Sequence, residues 1–313
     1  MIRLAIVSPC YNEEPVLESS AAKLLSLLDD LEGKEKISRD SFVLFVNDGS
    51  TDGTWSLIER LHCRSERIKG LSLAHNAGHQ CAIMAGMMTA RTMCDGCITI
   101  DADLQDELSC IEQMIDAHAA GSDVVYGVKV ERSADSPLKR FTAETYYRML
   151  KAMGVETVFN HADFRFMSRR VLDALSTYPE RNLYLRALVP QIGFRSSFVE
   201  DHLGKREAGK SKYTPRKMMR LAVDGITSFS EKPLHLIVGA GVIFILISLL
   251  IAVYVIVSIV SGHVVAGWSS LMLSVWFVGG VILVAVGITG LYVGKIYTEV
   301  KRRPLYNIDA FLD

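Results

Sequence analysis

The sequence predicts an α/β protein with a doubly wound, mostly parallel sheet, followed by an amphipathic helix and two membrane-spanning helices. Three observations lead there. Short apolar runs of strand type alternate with helical patterns through the N-terminal part of the chain. Each run closes in a cluster of turn-forming or acidic residues, and ligands of such sheets bind beyond the carboxyl ends of the strands. Near the C-terminus, Leu234 to Val260 and Trp268 to Gly294 contain no Lys, Arg, Asp or Glu.

Leu4 to Ser8 reads as the first strand, closed by Pro9-Cys10-Tyr11-Asn12-Glu13-Glu14, with a helix from Val16 to Leu31. Val43 to Val46 is the second strand, and Asn47 to Gly53 supplies turn and N-cap residues before a helix over Trp55 to Leu61. Leu71 to Ala74, then His75 to Gln80 and a helix to about Met93, form the third unit. Ile98 to Ile100 is the fourth strand, and Asp123 to Tyr126 the fifth, after a helix around Ile111 to Ala119. The opening apolar run is too short for a signal peptide.

Each uncharged C-terminal run is about 27 residues, long enough as helix to cross a hydrocarbon core of about 30 Å with some tilt. Their link, Ser261 to Gly267, has no Lys or Arg, whereas Lys232 precedes the first run and Lys295, Lys301, Arg302 and Arg303 follow the second. Both termini are therefore expected in the cytoplasm, at a bacterial inner membrane. The expected boundaries are a catalytic domain over 1–214, a juxtamembrane helix over 215–233, the two spans over 234–294 and a cytoplasmic tail over 295–313. Met218, Leu221, Ala222, Ile226 and Phe229 recur at helical spacing opposite basic residues, so the juxtamembrane helix is expected to lie in the bilayer interface, with packing on the catalytic domain as the alternative.

A formal charge of −1 argues against general nucleic-acid binding. The six cysteines fall in the part placed in the cytoplasm, where disulfides are uncommon. Cys94 and Cys97 have C-x-x-C spacing without a second metal-ligating pair, and are read as structural. The turn after the first strand contains no glycine, which disfavours a Rossmann dinucleotide site, and no Walker loop is present.

Attention then falls on Ile98 to Gln105. If the backbone stays extended, Asp101, Asp103 and Gln105 project the same way from a strand end. Hard oxygen donors without Cys or His suit Mg²⁺ or Mn²⁺. The alternative is a strand ending in an Asp-rich turn or helix cap.

The chain resembles a known family in six segments taken in order: P-C-Y-N-E-E at 9 to 14, V-N-D-G-S-T-D-G-T at 46 to 54, H-N-A-G-H-Q at 75 to 80, D-A-D-L-Q at 101 to 105, A-D-F-R-F-M-S-R-R at 162 to 170 and R-E-A-G-K-S-K-Y at 206 to 213. These are similar to the family 2 glycosyltransferases that charge a polyprenyl phosphate with a sugar, of the bactoprenol (undecaprenyl-phosphate) glucosyltransferase type, relatives of dolichyl-phosphate mannose synthase. The resemblance implies a GT-A fold in which Pro9, Tyr11, Glu13, Asp48 and Asp101 bind the nucleotide sugar. It also implies that Asp101, Asp103 and Gln105 hold the metal against the diphosphate. Asp103 and Asp163 are then catalytic, Asp163 near the acceptor and expected to orient rather than to take a proton. Two departures are His75, where many relatives carry Arg, and Glu107-Leu108 in place of prolines, which should alter only how the next helix starts.

On the acceptor side, Lys205, Arg206, Lys210, Lys212, Arg216, Lys217 and Arg220 face one acidic residue, Glu207, in the segment before the first span. The resemblance makes Arg206, Lys210 and Lys212 catalytic residues of a mobile loop that clamps phosphates, and Arg132 and Lys139 further acceptor-phosphate partners. Arg216, Lys217 and Arg220 are expected to face anionic headgroups. Gly287, Gly290 and Gly294 offer small faces for helix contact within a chain or in a homo-oligomer.

The expected activity is inverting transfer of a sugar from a UDP-sugar to undecaprenyl phosphate at the bilayer, glucose first, with GlcNAc, mannose or an amino-arabinose type sugar as alternatives. A processive polysaccharide synthase would need more spans and a Q-x-x-R-W segment, which is missing. A non-catalytic nucleotide-binding adaptor would give no reason for the metal triad.

Overall fold

The structure is a computed structural model that describes residues 1–129, 161–181, 183–201, 230, 232–261 and 267–313. Arg132, Lys139, Arg206, Lys210, Lys212, Arg216, Lys217, Arg220 and the expected juxtamembrane helix lie outside the described residues. What is described falls into two units: the sheet with its helices, which includes Arg302–Asp313, and the pair of long helices ending at Lys301.

Strands β1 (Leu4–Cys10), β2 (Phe42–Asn47), β3 (Ile68–Leu73) and β4 (Gly96–Thr99) alternate with helices α1 (Glu14–Gly33), α2 (Thr54–Arg64) and α3 (His79–Ala90). Helix α4 (Ser109–Ala119) leads to β5 (Val124–Lys129), and β6 (His161–Ser168), α5 (Arg169–Leu175), α6 (Leu185–Gln191) and β7 (Ser196–Asp201) follow. The long helices are α7 (Lys232–Val260) and α8 (Trp268–Lys301), and β8 (Ile308–Leu312) ends the chain.

The sheet runs β7-β5-β6-β4-β1-β2-β3-β8. Strands β4, β1, β2 and β3 are mutually parallel, and β5 is parallel to β7. The sheet is mostly parallel, as expected, with two antiparallel members: β6 between β4 and β5, and β8 along β3. Every residue of β1 is buried, as a central strand covered on both faces requires. Leu4 and Ile6 belong to a core with α1, α2 and α4, while Ala5 and Val7 belong to one with α3, α5 and α6. Gly86 lets α3 approach the sheet, since a Cβ there would run into Val7 and Val46.

Residues 295–313 do not form a separate tail. Helix α8 continues through Lys295 to Lys301, and Ile308–Leu312 joins the sheet as the strand that covers the edge of β3. Ala74 N donates to Asn307 O (2.9 Å), and Leu305 and Tyr306 pack against the second core. Lys69 pairs with Asp313.

Within the other unit, Phe244 and Phe277 bring α7 and α8 together with ring centroids 5.8 Å apart. Both helices are long and apolar enough to cross a membrane. Apolar side chains among the described residues are exposed, with Leu250 at 71 % and Leu283 at 73 %. A Cβ added at Gly287, Gly290 or Gly294 would meet nothing within 4 Å, so these glycines serve no helix contact among the described residues of this chain.

Candidate active site

The site is built at the carboxyl ends of β1 to β4 and completed by β6 and α6. Its first wall joins the turns after β1 and β2. Asn12 adopts a left-handed conformation (φ 55°), which Asn tolerates better than most residues. Its N–H donates to Ser50 Oγ (3.0 Å) and its Oδ1 accepts from Thr51 N (2.8 Å). Glu13 N donates to Thr54 Oγ1 (3.0 Å), and Glu14 accepts from Gly53 N (2.9 Å). Tyr11 stands exposed at the rim, Pro9 is buried in register with Val46, and Glu13 is half-buried.

Asp48 lies deeper than a residue lining an open pocket, at 3 % exposure. Its two carboxylate oxygens accept from Ala77 N (2.7 Å) and Gly78 N (3.0 Å), so it braces the turn after β3 against the end of β2. Burial raises its pKa, and the two N–H groups work against that rise. Gly49, at φ +62°, packs so close to His75 and Asn76 that a side chain has no room.

The second wall carries charge. The extended path expected for Asp101 to Gln105 is not found: β4 ends at Thr99, Leu104 is left-handed (φ 44°), and Leu104 N donates to Asp101 O (3.1 Å). The backbone turns, so Asp101, Asp103 and Gln105 do not line up by strand alternation. Gln105 instead donates its amide to Asp103. The Asp-rich turn weighed from the sequence describes the backbone better. The helix after it starts at Ser109 without a side-chain cap, and Ser109 Oγ donates to Glu107 (2.7 Å), the local consequence of having no prolines there.

Asp101 has its pKa raised first by desolvation, with the charges of Asp163 and Asp103 adding to the rise and His79 opposing it. A carboxylate raised by its carboxylate neighbours is a fitting donor for a hard divalent cation, which would relieve that repulsion. They are not preassembled around one: among the described residues no three His, Cys, Asp or Glu side chains converge in metal-binding geometry.

Asp163, on β6, is buried and surrounded by cations. Arg165 donates to its Oδ1 (3.0 Å), Arg186 on α6 donates to its Oδ2 (3.2 Å), and His79 Nε2 lies 3.3 Å from Oδ2. Desolvation would raise its pKa, yet Arg186, His79 and Arg165 together hold the carboxyl well below the usual range. Arg165 is fully buried, and its guanidinium also donates to Leu185 O (3.1 Å), while Leu185 N donates to Gln80 Oε1 (3.0 Å). Residues from α3, β6 and α6 thereby meet at one carboxylate.

A third cluster supports the acidic turn from behind. Lys129 Nζ lies 3.2 Å from Asp106, Asp201 accepts from Glu107 N (2.9 Å), and Lys129 and Asp201 are register partners on β5 and β7. Burial pushes the Asp106 carboxyl up to about 7, opposed by Lys129 and reinforced by Asp201.

His79, Arg165, Arg186, Asp106, Lys129 and Asp201 were not singled out from sequence. The spacing of Asp163 and Arg165, two apart on a strand, could have marked those two as neighbours on one face. Nothing local marks Arg186, which arrives from 23 residues further along. Cys94 and Cys97 are free and buried, with Cys94 pushed up to about 12 and Cys97 well above its ordinary value, in keeping with a structural role.

The family model for glycosyl transferase family 2 matches residues 5–176, which span β1 to β6 and the acidic turn. The chain belongs to glycosyltransferase family 2. A Bacillus subtilis glycosyltransferase, YkoT, is 44% identical over 309 residues, 99% of this chain and 92% of that protein. The bactoprenol glucosyl transferase of Shigella phage SfV is 36% identical over 98% of both chains. Among solved structures, glucosyl-3-phosphoglycerate synthase from Mycobacterium tuberculosis superposes with a TM-score of 0.50 at 17% identity, over 73% of this chain and 80% of that one. The protein is thus a glycosyltransferase of the bactoprenol glucosyl transferase type with a GT-A-like sheet.

Proposed function

We propose that this glycosyltransferase moves glucose from UDP-glucose to undecaprenyl phosphate, with inversion at the anomeric carbon, at the cytoplasmic face of a bacterial membrane. The observation that carries the reading is the 36% identity to a bactoprenol glucosyl transferase over 98% of the chain, apolar helices included. The lack of Lys and Arg between the two helices supports the sidedness.

In this reading an acceptor phosphate oxygen bonds to C1 of the sugar as the bond from C1 to the diphosphate oxygen breaks and UDP leaves. Asp101 and Asp103, with Gln105, would hold Mg²⁺ or Mn²⁺. When bound, the ion supplies charge neutralisation at the diphosphate leaving group. A phosphate monoester has a second pKa of about 6, so at neutral pH the acceptor is largely dianionic and no proton need be removed. Asp163 fits that economy: a carboxyl held well below its usual pKa by Arg186, by a hydrogen bond from His79 and by Arg165 is a poor base. Its role here is to fix Arg186 and His79 in place. Tyr11, Glu13 and Pro9 shape the nucleotide side, and Arg132, Lys139, Arg206, Lys210 and Lys212 take the acceptor phosphate.

The test is turnover by the purified full-length protein in detergent, offered radiolabelled UDP- and GDP-sugars with undecaprenyl phosphate. Labelled lipid from UDP-glucose, lost in EDTA and restored by Mg²⁺ or Mn²⁺, is the expected result. Labelled lipid from a different nucleotide sugar alone overturns the choice of donor, and no labelled lipid from any overturns the acceptor.

A further inference from the structure

The acidic turn from Asp101 to Gln105 is pinned on both sides by residues outside it. On the near side, Ser20 lies in the middle of α1 on its buried face, among Leu17, Ala21 and Leu24. Its Oγ donates to Ala102 O (2.6 Å) and shares the same proton with Val16 O (3.0 Å), one turn back in the helix. Alanine would suit the helix better, and a hydroxyl buried in an apolar face costs stability unless it is bonded. The bond it makes is to the residue between the two aspartates. On the far side, Asp201 at the end of β7 is completely buried, and its Oδ1 accepts from Glu107 N (2.9 Å). Its register partner Lys129 ends β5 with Nζ 3.2 Å from Asp106. Between these anchors Leu104 is left-handed (φ 44°), a conformation that costs a bulky residue free energy and persists only where the surroundings impose it.

We propose that Ser20 and Asp201 are positioning residues that set the acidic turn for a divalent cation. Both side chains are buried and act on the backbone of the turn, Ser20 at Ala102 O and Asp201 at Glu107 N, so neither touches substrate. A turn that must hold an unfavourable conformation to bind is competent for only a fraction of the time, and its apparent affinity falls by that fraction. Anchors at both ends raise the fraction before the ion arrives. The inference deepens the proposed activity and rests on it for the assignment of the ion to Asp101 and Asp103. Neither anchor lies in the six segments that resemble the family, and each stands far along the chain from the group it bonds, by 82 residues for Ser20 and 94 for Asp201.

The experiment titrates Mn²⁺ into the full-length protein in detergent with UDP present, reading free Mn²⁺ by its electron paramagnetic resonance signal. The proteins are the wild type, Ser20→Ala, Asp201→Ala and Asp201→Asn. Loss of one anchoring bond predicts Mn²⁺ affinity about threefold to tenfold weaker in Ser20→Ala and in Asp201→Ala. Asp201→Asn keeps an oxygen that accepts from Glu107 N and should retain more affinity than Asp201→Ala. The melting temperature of Ser20→Ala should stay close to the wild-type value, because the better helix former offsets the lost bond, so affinity falls there without unfolding. The Mn²⁺ concentration for half-maximal turnover should rise by the same factor, with most of kcat recovered at saturating Mn²⁺. Affinity within about twofold of the wild type in both Ala variants overturns the proposal. So does a loss seen only in Asp201→Ala together with a lowered melting temperature, the mark of a structural brace. A wild type that binds no Mn²⁺ in the presence of UDP overturns the metal assignment and the proposal with it. If the wild type binds Mn²⁺ and UDP but transfers no sugar to undecaprenyl phosphate, the proposed activity fails while the Mn²⁺ titration still decides the roles of Ser20 and Asp201.

Discussion

The two walls of the site are held by different forces. The turns after β1 and β2 are joined by bonds such as Asn12 to Thr51 and Glu13 to Thr54, and most of these pair a side chain with a backbone N–H. That wall is satisfied as it stands and needs no ligand to be complete. Across from it, Asp101, His79, Asp163, Arg165 and Arg186 are tied to one another by ion pairs. Asp163 and Arg165 are buried, where such a pair interacts more strongly than in water, while Asp101 at the solvent side has its pKa raised by desolvation and by its carboxylate neighbours and favours a cation beside it. Shape comes from the first wall and chemistry from the second.

The sharpest way to break the comparison is at the charged wall. Asp103→Ala should lower turnover at least about a thousandfold, since a cation without one of its carboxylates loses several kcal/mol of transition-state stabilisation. The variant should fold normally by melting temperature. Activity within about tenfold of the wild type would remove Asp103 from the chemistry.

The first wall adjoins the C-terminal segment: Asn307 O accepts from Ala74 N, and Leu305 and Tyr306 pack against the same core as Ala77. Ending the chain after Pro304 removes β8 and these contacts. The catalytic unit should lose about 3 kcal/mol, the scale of deleting one or two buried apolar side chains, read by denaturant unfolding. Unchanged stability would mean that β8 merely lies along the edge.

The next test concerns pH. The Asp163 carboxyl is depressed in the folded state, so its ionisation contributes stability that is present above the unfolded value of about 3.9 and is lost as pH falls through the folded value. The stability difference between the wild type and Asp163→Asn should therefore shrink below about pH 4, and because Asp163 also raises the His79 pKa it should shrink as well when pH rises through the His79 value. With His79→Ala in both proteins the second change should vanish, and a difference that still moves between about pH 5 and 8 would mean that Asp163 titrates in the working range and is available as a base.

The smallest effect is expected at Asn12→Ala. It removes the two bonds that Asn12 Oδ1 accepts from Thr51 N and Oγ1 and a residue tolerant of the left-handed conformation, at a cost of about 1 to 2 kcal/mol. The donor KM should rise severalfold with little change in kcat, because the wall shapes a pocket and takes no part in the bond exchange. A loss confined to kcat would place this turn nearer the reaction than the comparison allows.

Much of this protein could be read from its residues alone. Runs such as Phe42 to Val46 bury completely on both faces because apolar residues without alternation have no solvent side to turn to. The long apolar helices were legible because each contains an uncharged run of about 27 residues, long enough to cross a bilayer. Family membership was legible because turn residues at strand ends keep their spacing in sequence.

What only the tertiary structure decided is whatever joins distant segments. Antiparallel β6 enters the sheet, β8 returns from beyond the last long helix to cover β3, and Asp163 collects cations from α3, β6 and α6. Strand pairing and charge pairing act across space, and neither leaves a periodic trace along the chain. Even the acidic turn shows this limit: its three side chains looked aligned on an extended backbone, but a left-handed Leu104 bends the path between them. Side-chain alternation is informative only while the strand lasts, and β4 stops at Thr99.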